Sequence, residues 1–219
     1  MKWKNIIFDF DGVIVNSNEI RIEGFAELFT DYPESEIKKL LKYARENGGI
    51  SRYIKIRFFF EEIKKMPISE EDVNRLAHQY SILVTENVER ASSVPGAVEF
   101  IDKYSSFYRL AIVSGSDQLE LRGICKERDI AKYFCTILGS PIGKSKNIRT
   151  LIDVQGWDHE ECLYVGDSIN DYDAAFLNNV SFLGVNSGAF DWATKPVPSI
   201  NDLNELEVFL EDHNMGIPL

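Results

Sequence analysis

The sequence predicts an α/β fold: a parallel sheet flanked by helices, opened after its first strand by an all-helical insertion. Three observations carry this. Short apolar runs rich in β-formers alternate with helical patterns through the second half of the chain. A similar run stands alone near the N-terminus, and between the two lies a stretch from Asn18 to about Ala91 with helical spacing and no strand pattern.

The elements follow in order. Residues 4–9 form the first strand, which ends abruptly at Asp9-Phe10-Asp11-Gly12. In the insertion, Ile22, Phe25, Ala26 and Phe29 mark one helical face, and Ile37, Leu40, Leu41 and Ala44 a second. Ile54, Phe58 and Ile63 suggest a third, with Phe58, Phe59 and Phe60 in its core. Ser69 followed by Glu70, Glu71 and Asp72 reads as an N-cap with acids in the first turn of a fourth. After Val94-Pro95-Gly96 come a helix over 97–104, a strand over 109–113, a loop at Ser114-Gly115-Ser116 and a helix over 117–128. Strands over 134–138, 162–165 and 180–185 follow, separated by helices over 144–155 and 169–178, with a last helix over 203–210. That alternation gives five parallel strands with helices on both faces, and such sheets gather ligands at the carboxyl ends of their strands.

Composition narrows the functional classes. The 219 residues are 44% hydrophobic and 12% aromatic, enough for a substantial core. A formal net charge of −11 opposes binding to nucleic acid or an anionic membrane. It does not oppose a small phosphorylated substrate, because a local cation can dominate a site. Cys125, Cys135 and Cys162 lie far apart, which argues against a zinc site or a disulfide framework and predicts buried free thiols. The N-terminal apolar run is too short for a signal peptide, and no long apolar run occurs elsewhere, so the expectation is a soluble, cytoplasmic protein.

Four groups sit just past strand ends: Asp9 with Asp11, Ser114, Lys144, and Asp167 with Asp171. Two carboxylates at the end of a buried strand repel unless something positive separates them, and a hard cation such as Mg²⁺, which takes oxygen ligands, suits them. Gathered together, the set suits phosphoryl transfer. It offers a carboxylate nucleophile, a second carboxylate as acid and base, and a lysine and metal to neutralise the transferring group.

With these motifs in this order, the chain resembles the haloacid dehalogenase-like phosphatases, in particular the helical-cap subgroup that includes phosphoglycolate phosphatases and β-phosphoglucomutases. The resemblance spans nearly the whole chain. It implies a Rossmann-like catalytic core over 1–16 and 93–219 and a helical cap over 17–92. It implies a Mg²⁺-dependent phosphatase that hydrolyses a small phosphorylated metabolite through an aspartyl-phosphate. Asp9 would be the nucleophile and Asp11 the general acid and base. Ser114 and the backbone of Gly115 would bind phosphoryl oxygens, and Lys144, rather than Lys146, would tie the phosphoryl group to Asp9. Asp9, the Asp11 carbonyl and Asp167 would hold Mg²⁺, and Asp171 would ligate it or orient its waters. Gly12 would let the chain turn into the hinge below the cap.

Asn16 stands where many relatives have Asp, so it either hydrogen-bonds substrate or supports its loop. The loop Asn47-Gly48-Gly49-Ile50-Ser51-Arg52 resembles the cap loop of sugar-phosphate members. Arg52 there either holds a second anionic or hydroxyl-rich part of the substrate or is a solvated cation at a helix start. Gly166 before Asp167 looks more like the phosphatases than like β-phosphoglucomutase, whose motif usually has an acidic residue there. A sugar phosphomutase and a non-catalytic binding protein on the same scaffold are the alternatives.

Overall fold

The computed structural model describes residues 2–214. Strand β1 (Asn5–Phe8) is followed by four helices, α1 (Asn18–Leu28), α2 (Glu34–Glu46), α3 (Arg52–Phe58) and α4 (Glu70–Arg90). Helix α5 (Ala97–Tyr104) leads into β2 (Arg109–Asp117), and α6 (Gln118–Glu127) into β3 (Phe134–Ser140). Then come α7 (Lys144–Gln155), β4 (Cys162–Gly166), α8 (Ile169–Phe176), β5 (Ser181–Val185), β6 (Ser199–Ile200) and α9 (Leu206–Asn214). The six strands form one parallel sheet in the order β3-β2-β1-β4-β5-β6. The chain therefore leaves β1 toward one edge, returns, and continues from β4 toward the other. The reversal lies between β1 and β4, where an open parallel sheet leaves a crevice at its carboxyl end.

Side-chain alternation along β1 divides the core. Ile6 and Phe8 face a cluster with Phe100 of α5, Ile124 of α6 and Leu206 of α9, which continues into the insertion through Phe25, Phe59 and Tyr80. Ile7 faces the other side, with Ile148 of α7, Ala175 of α8 and Trp192. All three β1 side chains are buried, each contributing about 2 kcal/mol by removal from water. A strand anchored on both faces gives the residue that follows it, Asp9, a fixed position.

The insertion is helical throughout. Ser69 caps α4, its Oγ accepting from the Asp72 amide at 3.0 Å. Helix α3 runs into a single π-helical turn, Phe59–Ile63, which turns Phe59 onto Phe29 with ring centroids 4.1 Å apart. Phe58 instead stacks on Tyr43 at 3.6 Å. The aromatic run is packing material, as expected.

Three features differ from the sequence expectation. β2 continues through Ser114-Gly115-Ser116, read from sequence as a loop, and ends at Asp117 after a register shift against β3. β6 is two residues long, too short for any pattern, and adds a sixth strand by pairing with Gly184 and Val185. Cys135 is exposed, because it alternates outward on β3, whereas Cys125 and Cys162 are buried. No helix among the described residues is long and apolar enough to cross a membrane.

Candidate active site

The β1/β4 crevice gathers the residues. Asp9 leaves the end of β1, its amide donating to the Val165 carbonyl of β4 at 2.9 Å, so the two strand ends are locked side by side. Asp167 follows β4. Carboxylate oxygens of Asp9, Asp167 and Asp171 all lie within 4.8 Å of one another, and all three residues are buried. Lys144, the first residue of α7, donates from Nζ to Asp9 Oδ2 at 2.7 Å and to Asp171 Oδ1. Chain segments more than a hundred residues apart thus supply one cluster.

Gly12 makes the closeness of β1 and β4 possible. Its φ is +76°, and a Cβ there would sit 2.0 Å from Asp167 Oδ2. Only a residue without a side chain fits both demands.

Each carboxylate is held differently. Asp171 is saturated. Oδ1 accepts from Lys144 and the Tyr164 hydroxyl, while Oδ2 accepts from the Ser168 amide at 3.0 Å and its Oγ at 2.7 Å, closing a capping box at the start of α8. Asp167 Oδ2 accepts from Asn18 Nδ2 at 2.7 Å and Ser187 Oγ at 2.6 Å. Its Oδ1 receives no hydrogen bond among the described residues. Asp9 Oδ1 accepts from the Phe10 amide at 2.7 Å.

Burial raises the pKa of Asp9 well above the usual carboxylate range, and Asp171 adds to it, with Lys144 opposing. Burial and then Asp171 push Asp167 up to about 6, against its bonds from Ser187 and Asn18. Burial would lower Lys144, but Asp171 and Asp9 outweigh it and hold the ammonium above its ordinary pKa. Three buried carboxylates beside one ammonium leave uncompensated negative charge, and every donor in the set is an oxygen. This fits a hard divalent cation. Asp9 and Asp167 have oxygens left to offer, whereas Asp171, with four bonds already made, is suited to orienting the others.

Asp11 faces away from this cluster, toward the insertion. It accepts from Ser17 Oγ at 2.6 Å, Arg21 Nε at 2.8 Å and Ser116 Oγ at 2.6 Å. Burial would raise its pKa, but Arg21 and then the two hydroxyls hold it below the usual range. Asp11 is therefore a carboxylate here. Ser114 and Gly115 line the same cavity, about 390 Å³ in volume, together with Asp9, Asp11 and Asp167. The insertion closes over it: Asn170 Nδ2 donates to the Gly48 carbonyl at 2.6 Å, and Gly49 (φ +75°) lies so near that a Cβ would be 2.9 Å from Lys144 Nζ.

Such an arrangement can accept a phosphoryl group on a carboxylate and balance its charge from two sides. A sequence model of the haloacid dehalogenase-like hydrolases matches residues 6–185. The chain belongs to the haloacid dehalogenase-like hydrolase family. It is similar to a 5'-nucleotidase of Pseudomonas aeruginosa, 23% identical, the match covering 97% of this chain and 98% of that one. Among solved structures it is similar to a β-phosphoglucomutase from Clostridium difficile, with a TM-score of 0.79 and 18% identity over 97% of this chain and 98% of that one. It is also similar to a predicted phosphoglycolate phosphatase from Haemophilus somnus, with a TM-score of 0.76 and 20% identity over 96% and 99%. At these identities the solved structures establish the haloacid dehalogenase-like fold.

Two sequence-predicted residues of this haloacid dehalogenase-like chain are engaged elsewhere. Asn16 is outside the residues that line the cavity. Its Nδ2 donates to Ser92 Oγ and the Ser93 carbonyl, both at 3.1 Å, and so ties together the two strands of chain that enter and leave the insertion. These are the contacts of a loop-supporting residue. Arg52 lines the cavity but is neither solvated nor free. Both its Nη atoms donate to Glu120, at 2.6 and 2.9 Å, and Nη1 also to Ser81. Sequence reasoning missed Arg21, Glu120, Ser116, Asn18 and Ser187. For Arg21 a signal existed: a charged residue one turn from Phe25 on an apolar helical face implies a buried partner.

Proposed function

We propose that this hydrolase is a Mg²⁺-dependent phosphatase of a small phosphorylated metabolite, working through an aspartyl-phosphate on Asp9, with residues 17–92 as a cap over a core of 1–16 and 93–219. The observation that carries this reading is Asp9, bonded to Lys144 at the β1/β4 crevice and lining a cavity together with Asp11 and Asp167.

In the first step an Asp9 oxygen attacks phosphorus, the bond to the leaving oxygen breaks, and protonated Asp11 gives that oxygen its proton. In the second, water attacks the phosphorus of the aspartyl-phosphate, Asp11 takes its proton, and Asp9 and phosphate separate. Asp11, accepting from Arg21, Ser17 and Ser116, is set up as the base of the second step. The first requires it to exchange its contacts with Arg21, Ser17 and Ser116 for the leaving oxygen. Lys144, Ser114 Oγ and the Gly115 amide would hold phosphoryl oxygens. Mg²⁺, held by Asp9, Asp167 and the Asp11 carbonyl with Asp171 in support, would offset the charge of the transferring group. Closure of the insertion would keep bulk water out.

A phosphomutase would return the phosphoryl group to substrate instead. Gly166 speaks for hydrolysis: a Cβ there would lie 2.4 Å from the Cβ of Asp171, so an acidic residue before Asp167 has no room. The expected result is release of phosphate from p-nitrophenyl phosphate with Mg²⁺, falling to background on chelation and returning when Mg²⁺ is restored. Turnover that persists in excess chelator would refute the metal dependence, and isomer formation without phosphate release would favour the mutase.

A further inference from the structure

The insertion contributes three cations to the lining of the cavity: Arg21 on α1, and Arg52 and Lys55 on α3. Two are compensated. Arg52 is spent on Glu120 and Ser81, with its guanidinium 4.6 Å from the Tyr80 ring centre. Arg21 is divided between Asp11 and Glu120. Two guanidinium groups thus face two carboxylates, and their charges cancel.

Lys55 is the remainder. It is 7% exposed, and among the described residues its ammonium pairs with no carboxylate and donates no hydrogen bond. Its neighbour is the face of Phe25, with Nζ 5.8 Å from the ring centre. An ammonium buried without an anion is costly, and one distant aromatic face repays little of it. Burial lowers its pKa to about 8, with Lys144, Arg21 and Arg52 opposing its charge and only Asp11 favouring it. A cavity wall that retains an unpaired ammonium is built for an anion.

We propose that the substrate carries a second anionic group, a carboxylate or a further phosphate, held by Lys55 on the wall of the cavity that the insertion supplies. This rests on the phosphatase reading and sharpens it. The substrate class becomes small phosphorylated acids or bisphosphates, in preference to monoesters whose remaining part is neutral. Selectivity follows from the cost of leaving Lys55 unpaired when a neutral ester fills the cavity. The specificity expected of Arg52 from the sequence passes to the residue one turn further along α3.

The test is binding of non-hydrolysable phosphonates to the Mg²⁺-loaded protein. Alkylphosphonates are compared with carboxyalkylphosphonates of equal chain length, over two to four carbons, and in a separate arm with α,ω-bisphosphonates. For at least one length, the second anion is expected to tighten binding about tenfold or more. In Lys55→Gln that ratio falls below about threefold, and in Lys55→Arg it is retained. The bisphosphonate arm tells which anion the site prefers. Because each protein is read as a ratio of two ligands, a general loss of affinity does not imitate the result. The proposal is overturned if no length shows the gain in the wild type, or if the gain survives in Lys55→Gln. Wild-type hydrolysis of p-nitrophenyl phosphate with no gain from the second anion overturns this inference alone. Absence of both hydrolysis and phosphonate binding overturns the phosphatase reading with it.

Discussion

Asp9→Asn is expected to abolish turnover, by a factor on the order of 10⁴ or more, the scale that follows removal of a covalent nucleophile. The amide oxygen can still accept from the Phe10 amide or from Lys144, so the local geometry has a replacement for part of what it loses. It cannot attack phosphorus as a carboxylate does. Stability should move the other way. Burial disfavours the Asp9 anion, and Asp171 and Asp167 disfavour it further, so a neutral side chain relieves repulsion while Lys144 keeps Asp171. The expected pairing is a dead enzyme with a melting temperature equal to or above that of the wild type in chelator. Two measurements check it: phosphate release, and a hydroxylamine-trappable phosphoryl adduct that the wild type forms and the variant does not. A variant that retained more than about one per cent of turnover would remove Asp9 from the nucleophile's place.

The parts of this architecture legible in sequence are those whose signal is local. Ile6, Ile7 and Phe8 announce a buried strand by content, and the acid pair after them announces its end. Once alternation predicts a parallel sheet, strand ends converge by topology. That is why Asp9, Lys144, Asp167 and Asp171, distant along the chain, could be expected together and are found together. What was not legible is pairing. Arg52 reads as an available cation, because nothing near it in sequence says that Glu120, on a helix of the sheet domain 68 residues away, has taken it. Lys55 has only the basic neighbours Arg52 and Arg57 close by in sequence, and the three-dimensional balance of charge is what separates it from Arg52. The contacts of Asn16 were hidden for the same reason: its partners Ser92 and Ser93 lie at the far end of the insertion. β6 fails for lack of length, since two residues carry no period.

Glu120→Gln is expected to destabilise the fold by about 3–5 kcal/mol at neutral pH, the cost of breaking a buried charge network by removing one partner. Glu120 lies in the first turn of α6, its side chain 3% exposed, and it ties α1 and α3 to α6 through Arg21 and Arg52. Glutamine keeps the shape and one acceptor but leaves two buried guanidinium groups facing a single remaining carboxylate, Asp11. The pH dependence gives the sign. Burial would raise the Glu120 pKa, but Arg21 and then Arg52 lower it to about 2, against an ordinary value of 4.5. An acid depressed on folding contributes its stability in full above the unfolded value and loses it as pH falls toward the folded one. The wild-type advantage over Glu120→Gln should therefore be constant from about pH 7 to 5 and should shrink steadily between about 4.5 and 2. Urea unfolding of both proteins across that range measures it. At 219 residues the neutral-pH difference corresponds to a drop in melting temperature of roughly 6–20 °C. Because Glu120 holds two helices of the insertion onto the sheet, the loss should also appear as faster amide exchange in α1 and α3 than in β1 or β4. A difference below about 1 kcal/mol at pH 7, or one that does not diminish in acid, would show that the two arginines find other partners and that the insertion is held by its apolar contacts instead.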